Sequence, residues 1–228
     1  EKIIPINEML LEANFSPPGM PNGIAVADNG GALLFYIEGK DFKTGESLVN
    51  WLTSQYWSGP VLVADYLKDI PGVLPTSLVG LDGARGPDVA LSFAWNENSN
   101  LNGVKGFTYV ASGKVGCGQH GSMNPTELRT FTVANGPSFL KDVSIASVSG
   151  HPDIAPTIMH LLGHAPTSYM EGTILYEALS NEKRPKSERI ENISYSSQSE
   201  IAGGQYKQQL IISPRENGGY IVSAEYSH

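Results

Sequence analysis

Residues 32–64, ALLFYIEGKDFKTGESLVNWLTSQYWSGPVLVA, place an amphipathic segment between two short apolar runs. The runs 32–37 and 60–64 are rich in aliphatic and aromatic residues and short enough to be buried strands. Between them, residues 46–55 carry their apolar side chains on one side of a helix, with Thr44 as a candidate cap. A strand, a helix and a second strand in succession predict an α/β fold.

The same alternation continues on both sides of this stretch. Further strands are predicted over residues 24–27, 89–95, 107–111 and 129–134, and further helices over 153–162 and 172–179. The helix over 153–162 is the best defined, because Asp153 is a candidate N-cap, Pro156 lies in the first turn and Gly163 suits the position after the last turn. Its apolar stripe consists of Ile154, Ile158, Leu161 and Leu162.

The polar segment 181–204 divides the chain into a body and a tail. It is rich in Ser, Glu and Asn, which predicts a linker after an α/β body over residues 1–180. Beyond it, 205–213 and 219–226 flank a short turn-forming segment and predict a β-hairpin over residues 205–228. Because an isolated hairpin is marginally stable in water, we expect this one to dock on the body.

Composition excludes several classes of protein. The 228 residues carry a net charge of −8, so no basic stripe is expected and nucleic-acid binding is disfavoured. No apolar run reaches the roughly 18 residues of a membrane span, so no span is predicted. The single cysteine, Cys117, excludes an internal disulfide.

The glycine-rich segment 116–122, GCGQHGS, is the main candidate for chemistry. A histidine among glycines lies where the backbone turns tightly and approaches a ligand closely, although a simple surface turn is the alternative. The segment also spells G-x-G-x-x-G, but Asn124-Pro125 interrupts the helix that a dinucleotide site requires. The pair His160 and His164 has helical zinc spacing without the companion glutamate, and we interpret these histidines as structural or exposed.

Beyond local chemistry, a series of short motifs resembles the C-terminal part of alkaline-phosphatase-superfamily enzymes. Within that superfamily the sequence is most similar to the type I phosphodiesterase and nucleotide pyrophosphatase branch. The motifs are, in order, GQHGS (118–122), PTELR (125–129), ANGPSF (134–139), DIAPTI (153–158) and MEG (170–172). Upstream, GVLP (72–75), SLV (77–79) and GPDV (86–89) resemble the sheet and loops that precede this block.

The resemblance implies an αβα sandwich in which two divalent metals, usually zinc, flank a Thr or Ser nucleophile. The late histidine of the family's G-x-H-G motif is a ligand of one metal, and this role carries over to His120. Its substrate would be a phosphate ester or a nucleotide. No Asp-His-Gly segment occurs in the chain, and Asp28-Asn29-Gly30 has the wrong central residue.

These departures predict that the chain is the C-terminal portion of such a hydrolase. It would contribute one metal ligand, His120, and would be inactive alone, because catalytic zinc takes about three protein ligands plus water. The alternative is a non-catalytic binding module derived from the same fold. In either case we expect exposed apolar surface on the half-sandwich to favour self-association.

Overall fold

The computed structural model describes residues 2–99, 102–113, 117–180, 191–215 and 218–228. Its strands are β1 (Lys2–Ile3), β2 (Ile24–Asp28), β3 (Ala32–Ile37), β4 (Ser58–Val63), β5 (Leu74–Pro75), β6 (Val89–Phe93), β7 (Trp95–Ser99), β8 (Lys105–Val110), β9 (Ile193–Ile201), β10 (Gly204–Arg215) and β11 (Gly218–Ser227). The α-helices are α1 (Ile6–Glu12), α2 (Phe42–Thr53), α3 (Pro125–Leu128) and α4 (Ile154–Leu161). Short 3₁₀ turns cover Glu38–Lys40, Asp65–Leu67, Thr76–Val79, His151–Asp153 and Tyr176–Ala178. The α/β class is therefore confirmed.

A five-stranded mixed sheet in the order β2-β3-β6-β4-β5 forms the centre of the fold. Strands β3 and β4 both pair antiparallel with β6, so they run parallel to each other with β6 between them. Helix α2 connects β3 to β4, which makes the opening stretch a β-α-β unit split by a later strand. A second sheet, β1-β8-β7, lies beside it.

Alternation along the central strands directs side chains into two cores. On one face, α1 and α2 pack against the strands and bury Leu48, Val49, Leu52, Leu33, Phe35, Val61, Val63, Val89 and Leu91. On the other face, Leu62 and Ala90 pack against Leu210, Ile212 and Ala224 of the C-terminal sheet β11-β10-β9. The described residues therefore stack helix, sheet and sheet, whereas helices were expected on both faces. The difference arises because the apolar side of β10 covers the second face.

Polar contacts join the C-terminal sheet to the body in addition to the apolar core. The Gln208 side chain is buried and bonds the backbone of β4, while the Tyr206 hydroxyl donates to the Gly59 carbonyl oxygen at 2.9 Å. The Tyr226 hydroxyl donates to the Trp95 carbonyl oxygen at 2.7 Å and accepts from the Trp95 amide at 2.9 Å. The structure thus has the predicted hairpin of β10 and β11 seated on the body.

Most predicted elements in the central sheet occur with small shifts of their ends. Strand β3 has the predicted limits, and β2, β4, β6 and β8 differ from the predictions by one or two residues. Helix α2 begins at Phe42 and not at residue 46, because the Asp41 carboxylate, not Thr44, caps it. That carboxylate accepts from the Thr44 amide at 2.7 Å, and this bond lowers the pKa of Asp41.

Three sequence-based predictions are wrong. Residues 129–134 form no strand: Phe131 and Val133 are 89% and 82% exposed, and neither belongs to a strand pair. In the segment 172–179 only the turn Tyr176–Ala178 is helical. Within the predicted linker 181–204, residues 193–201 form β9, while 181–190 lie outside the described residues. A polar edge strand has too few apolar residues for its periodicity to show.

Helix α4 has the predicted limits to within one residue but the opposite orientation. Pro156 and Thr157 are buried, whereas the apolar stripe faces solvent, with Ile158 52% and Leu162 67% exposed. The Thr157 hydroxyl fixes this orientation, since it donates to the Asp153 carbonyl oxygen at 2.7 Å and accepts from the Leu175 amide at 3.0 Å. No helix in the described part of the chain is long and apolar enough to cross a membrane.

Candidate functional site

An open cleft of about 750 Å³ contains His120, the residue that the sequence analysis selected. Its walls come from two loop regions that are distant in sequence, residues 119–130 and residues 149–152 with Glu171. Its floor comes from residues 79–80, Arg215 and residues 219–221 of β11. The cleft therefore exists only because the C-terminal sheet docks on the body.

The first wall is fixed to the ends of two strands. The Met123 amide donates to the Ser92 hydroxyl of β6 at 2.8 Å, and the Asn124 side-chain amide donates to the Thr108 hydroxyl of β8 at 2.7 Å. The Asn124 side-chain oxygen also caps α3 by accepting from the Thr126 amide at 3.0 Å. These contacts hold the loop that carries His120 in one position on the sheet.

His120 lies on the turn that precedes Met123 and Asn124, against the connection between β2 and β3. Its carbonyl oxygen accepts from the Gly31 amide at 2.7 Å, and its side chain is exposed to solvent. Gly121 has φ +92°, and a Cβ there would lie 2.5 Å from the Asn29 carbonyl oxygen. Only glycine satisfies both conditions, so the glycine serves this close approach between the two turns.

Asp153 organises the second wall. Its side chain is fully buried and its carboxylate accepts from the Gly150 amide at 2.9 Å, the Thr173 amide at 2.7 Å, the Thr173 hydroxyl at 3.2 Å and the Tyr220 hydroxyl at 2.8 Å. It was expected to cap α4 with its side chain, and this detail is wrong: no side-chain cap bond to α4 forms. The carboxylate instead joins two loops to β11.

The floor of the cleft places a cation against an aromatic ring. The Arg215 guanidinium lies 4.5 Å from the centre of the Tyr220 ring. It also donates to the Val148 carbonyl oxygen at 2.9 Å, the Pro214 carbonyl oxygen at 2.9 Å and the Ser213 hydroxyl at 3.1 Å. Burial, followed by the hydrogen bond to Asp153, raises the pKa of Tyr220 to about 12, so the phenol is neutral at physiological pH.

The cleft contains metal-binding residue types without forming a complete metal site. His120, His151, Glu127 and Glu171 line it, and the Glu127 carboxylate accepts from the Ser122 amide at 3.0 Å. Among the residues that the structure describes, no group of three or more His, Cys, Asp or Glu side chains could hold a metal ion. His120 fits the role of a single ligand, but these residues do not fit a whole catalytic zinc site.

The other sequence candidates lie outside this cleft. Cys117 is exposed, and Gly116 lies outside the described residues, so the G-x-G-x-x-G pattern is not tested. His160 packs edge to face on Tyr176 with ring centres 5.2 Å apart, and His164 is exposed. A second depression, of about 440 Å³, is lined mainly by Ser, Gln, Lys207, Glu225 and Tyr226 of the C-terminal sheet.

Comparisons of the chain with protein-family models, with curated proteins and with solved structures find no match.

Sequence reasoning selected His120 but missed the residues that the fold brings near it. His151 precedes the predicted helix over 153–162 and received no role, and Arg215 lies in the turn of the predicted hairpin. No local spacing links either residue to His120, because 31 and 95 positions separate them along the chain. Tertiary structure brings Arg215 near His120, through the docking of the tail on the body, and the local sequence does not indicate this.

Proposed function

We propose that this chain is the C-terminal portion of a metal-dependent phosphoric ester hydrolase of the phosphodiesterase and nucleotide pyrophosphatase type. Its contribution is one metal ligand, the neutral imidazole of His120, and alone it is inactive. The observation that carries the proposal is the placement of an exposed histidine on a loop fixed to the sheet, at the wall of a large cleft. The remaining ligands and the nucleophile would come from outside the described residues.

The alkaline-phosphatase-like sandwich belongs to this proposal. It is supported by the mixed central sheet, the helices on one of its faces and the order of the motifs in the sequence. The sheet β9–β11 on the other face departs from it. In the proposed enzyme this sheet is a C-terminal addition that forms the floor of the cleft.

The inactivity of the isolated chain can be measured directly. With added zinc, we expect the purified chain to hydrolyse bis(4-nitrophenyl) phosphate no faster than zinc in buffer, since one imidazole does not hold a catalytic metal. The assay follows nitrophenolate release over time. Robust, zinc-dependent turnover that scales with chain concentration would contradict this part of the proposal.

The role of His120 has to be tested in the natural protein, including any residues that precede Glu1. We expect His120→Ala to weaken zinc affinity by about tenfold or more, because the loss of even an outer-shell partner of a metal site costs about 10–100-fold. The measurement is metal content after dialysis against graded zinc buffers. His164→Ala is the matched control, because it removes an exposed imidazole outside the cleft. Equal zinc content in both variants and the parent would contradict the proposal.

The exposed stripe of α4 favours a second candidate function, a non-catalytic interaction module. The four residues of this stripe lie on one side of the helix, and all of them are exposed: Ile154, Ile158, Leu161 and Leu162. An apolar helix face in water is a typical contact surface between protein chains. For this chain we propose a second copy as the partner.

Light scattering distinguishes this candidate from a monomeric chain. At micromolar concentration we expect at least twice the mass of one chain, and the double substitution Ile158→Glu and Leu162→Glu should return the mass to that of a monomer, because it places charges on the stripe. The same pair of glutamates at the exposed Lys43 and Asn50 of α2 is the control. A monomeric parent chain would exclude self-association.

A further inference from the structure

We infer that Arg215 binds an oxyanion in the floor of the cleft. The ligand is a phosphate, sulfate or carboxylate group, two oxygens of which would lie in the plane of the guanidinium. This inference deepens the proposed function and rests on it only for the identification of the ligand as a phosphoric ester. Binding of a free oxyanion by Arg215 is separable from metal binding by His120, because the two residues lie on different parts of the cleft.

Arg215 carries a positive charge that is partly removed from water. Arg215 is half-buried, and the described residues place no carboxylate within ion-pair distance of it. A guanidinium removed from water is normally paired with an anion, since burial of an isolated charge is unfavourable. Arg215 instead has neutral partners: two carbonyl oxygens and one hydroxyl. A ligand would therefore supply the anion that the described residues do not place beside Arg215.

Part of the hydrogen-bonding capacity of the Arg215 guanidinium is unused among the described residues. A guanidinium has five N–H groups, of which three donate to Ser213, Pro214 and Val148. One N–H on Nη2 and the N–H on Nε remain, and Nε is buried without a partner among the described residues. These neighbouring nitrogens form the edge that binds an oxyanion in a bidentate manner. Because Nε lies beneath the surface, we expect the guanidinium to shift slightly when the ligand binds.

Tyr220 restricts the position of the Arg215 guanidinium. The Tyr220 ring lies under the guanidinium, and the Tyr220 hydroxyl is held by the buried Asp153 carboxylate at 2.8 Å. These contacts limit the guanidinium to a small adjustment when a ligand arrives, which lowers the entropy that binding would otherwise cost. Tyr220 and Asp153 are positioning residues for Arg215.

Two carboxylates in the cleft oppose an anion there. Glu127 and Glu171 also line the cleft, and both would repel a phosphate ion. We therefore expect the affinity for free phosphate to be low, with a dissociation constant of about 1 mM or weaker, which lies at the weak end of the affinity scale. A low affinity is suited to measurement by chemical shifts in a titration.

The experiment is a titration of the ¹⁵N-labelled chain with inorganic phosphate at constant ionic strength, without added metal. We expect saturable shifts at the backbone amides of Gly150, His151 and Tyr220. Arg215→Gln should weaken binding by about tenfold, a change of about 1.4 kcal/mol, which is the size of one charge-assisted hydrogen bond. Lys43→Gln removes an exposed positive charge on α2 and should leave the affinity within about twofold, because exposed charges contribute little at a distance.

Arg215→Lys keeps the charge and loses the planar edge, so it should lie between the parent chain and Arg215→Gln. It also replaces Arg215→Gln in the affinity comparison if that variant does not fold, which the dispersion of the amide resonances would reveal. Parallel titrations with sulfate and acetate decide whether the site prefers a tetrahedral or a planar oxyanion. Unchanged phosphate affinity in the arginine variants, or no saturable shift in the parent chain, would overturn the inference.

The variant His120→Ala separates this inference from the proposed function. If zinc affinity in the natural protein is insensitive to His120 while Arg215→Gln still loses phosphate, the proposed function fails and the oxyanion site stands. The reverse result leaves the proposed function intact and removes Arg215 from the site.

Discussion

Replacing Gln208 by methionine is expected to destabilise the chain by about 4 kcal/mol. The substitution leaves several buried backbone groups without partners, and each such group costs about 1–3 kcal/mol. Gln208 is 2% exposed, and its side-chain amide donates to the carbonyl oxygens of Val61 at 2.8 Å and Gly72 at 2.6 Å. Its side-chain oxygen accepts from the Val61 amide at 3.1 Å. One side chain therefore pairs with β4 as a neighbouring strand would. Methionine has nearly the same shape and removes all three bonds.

Gln209→Met is the matched control for this experiment. Gln209 is the next residue on β10 but faces the opposite side of the sheet, where its amide donates to the exposed Ser196 hydroxyl at 3.2 Å. We expect its substitution to change the free energy of unfolding by less than about 0.5 kcal/mol, as for most surface positions. Urea denaturation followed by tryptophan fluorescence compares the two variants. Similar midpoints and slopes for both would show that the Gln208 bonds do not hold the C-terminal sheet.

Replacing Asp153 by alanine is expected to destabilise the chain by about 3 kcal/mol. Hydrogen bonds to a charged acceptor contribute about 1.5–3 kcal/mol each, and the substitution removes four of them. Part of this loss is offset, because a carboxylate no longer has to be buried. The substitution leaves the Gly150 amide, the Thr173 amide and the Tyr220 hydroxyl unpaired. Asp82→Ala, at an exposed position, is the control and should be nearly neutral. Thermal unfolding measures both.

The variant Asp153→Asn tests the effect of the Asp153 charge on Tyr220 separately from its effect on stability. The negative charge of Asp153 helps to raise the pKa of Tyr220 to about 12, because it disfavours a second negative charge beside it. Without that charge, Tyr220 should ionise at lower pH, although burial keeps its pKa above the ordinary value. Ultraviolet titration of the folded variant near 295 nm, compared with Tyr220→Phe, measures this. An unchanged titration would show that the Asp153 carboxylate does not influence the phenol.

The sequence allowed prediction of the central sheet because burial on both faces leaves nearly continuous apolar runs. Strand β3 is such a run, and its limits were predicted without error. The same rule produced the false strand 129–134, whose β-branched residues find no partner strand. It also missed β9, whose ISYSSQSEI sequence alternates only between polar and weakly apolar positions. An apolar pattern shows which residues could be buried in a strand, and contacts with distant segments decide whether they are.

The candidate site was predictable only where the chemistry was local. Glycines around His120 indicated a close backbone approach, and the structure has one, between Gly121 and Asn29. Asp153 was selected for the wrong role, because a carboxylate before a helix predicts a cap, while the fold presents it with better donors from Thr173 and Tyr220. Arg215 carried no signal, since its neighbours in space come from segments far away in sequence.

The contacts of Gln208 and Tyr206 have a consequence for how the chain is made. Both residues bond partners between positions 59 and 72, with loops of more than 130 residues closed by each contact. Such high contact order slows folding, because the entropy of a long loop is lost before its contacts form. During synthesis, Leu62 and Ala90 stay uncovered until β10 leaves the ribosome. Strand β10, which is translated long after the central sheet, therefore completes both the second core and the floor of the cleft.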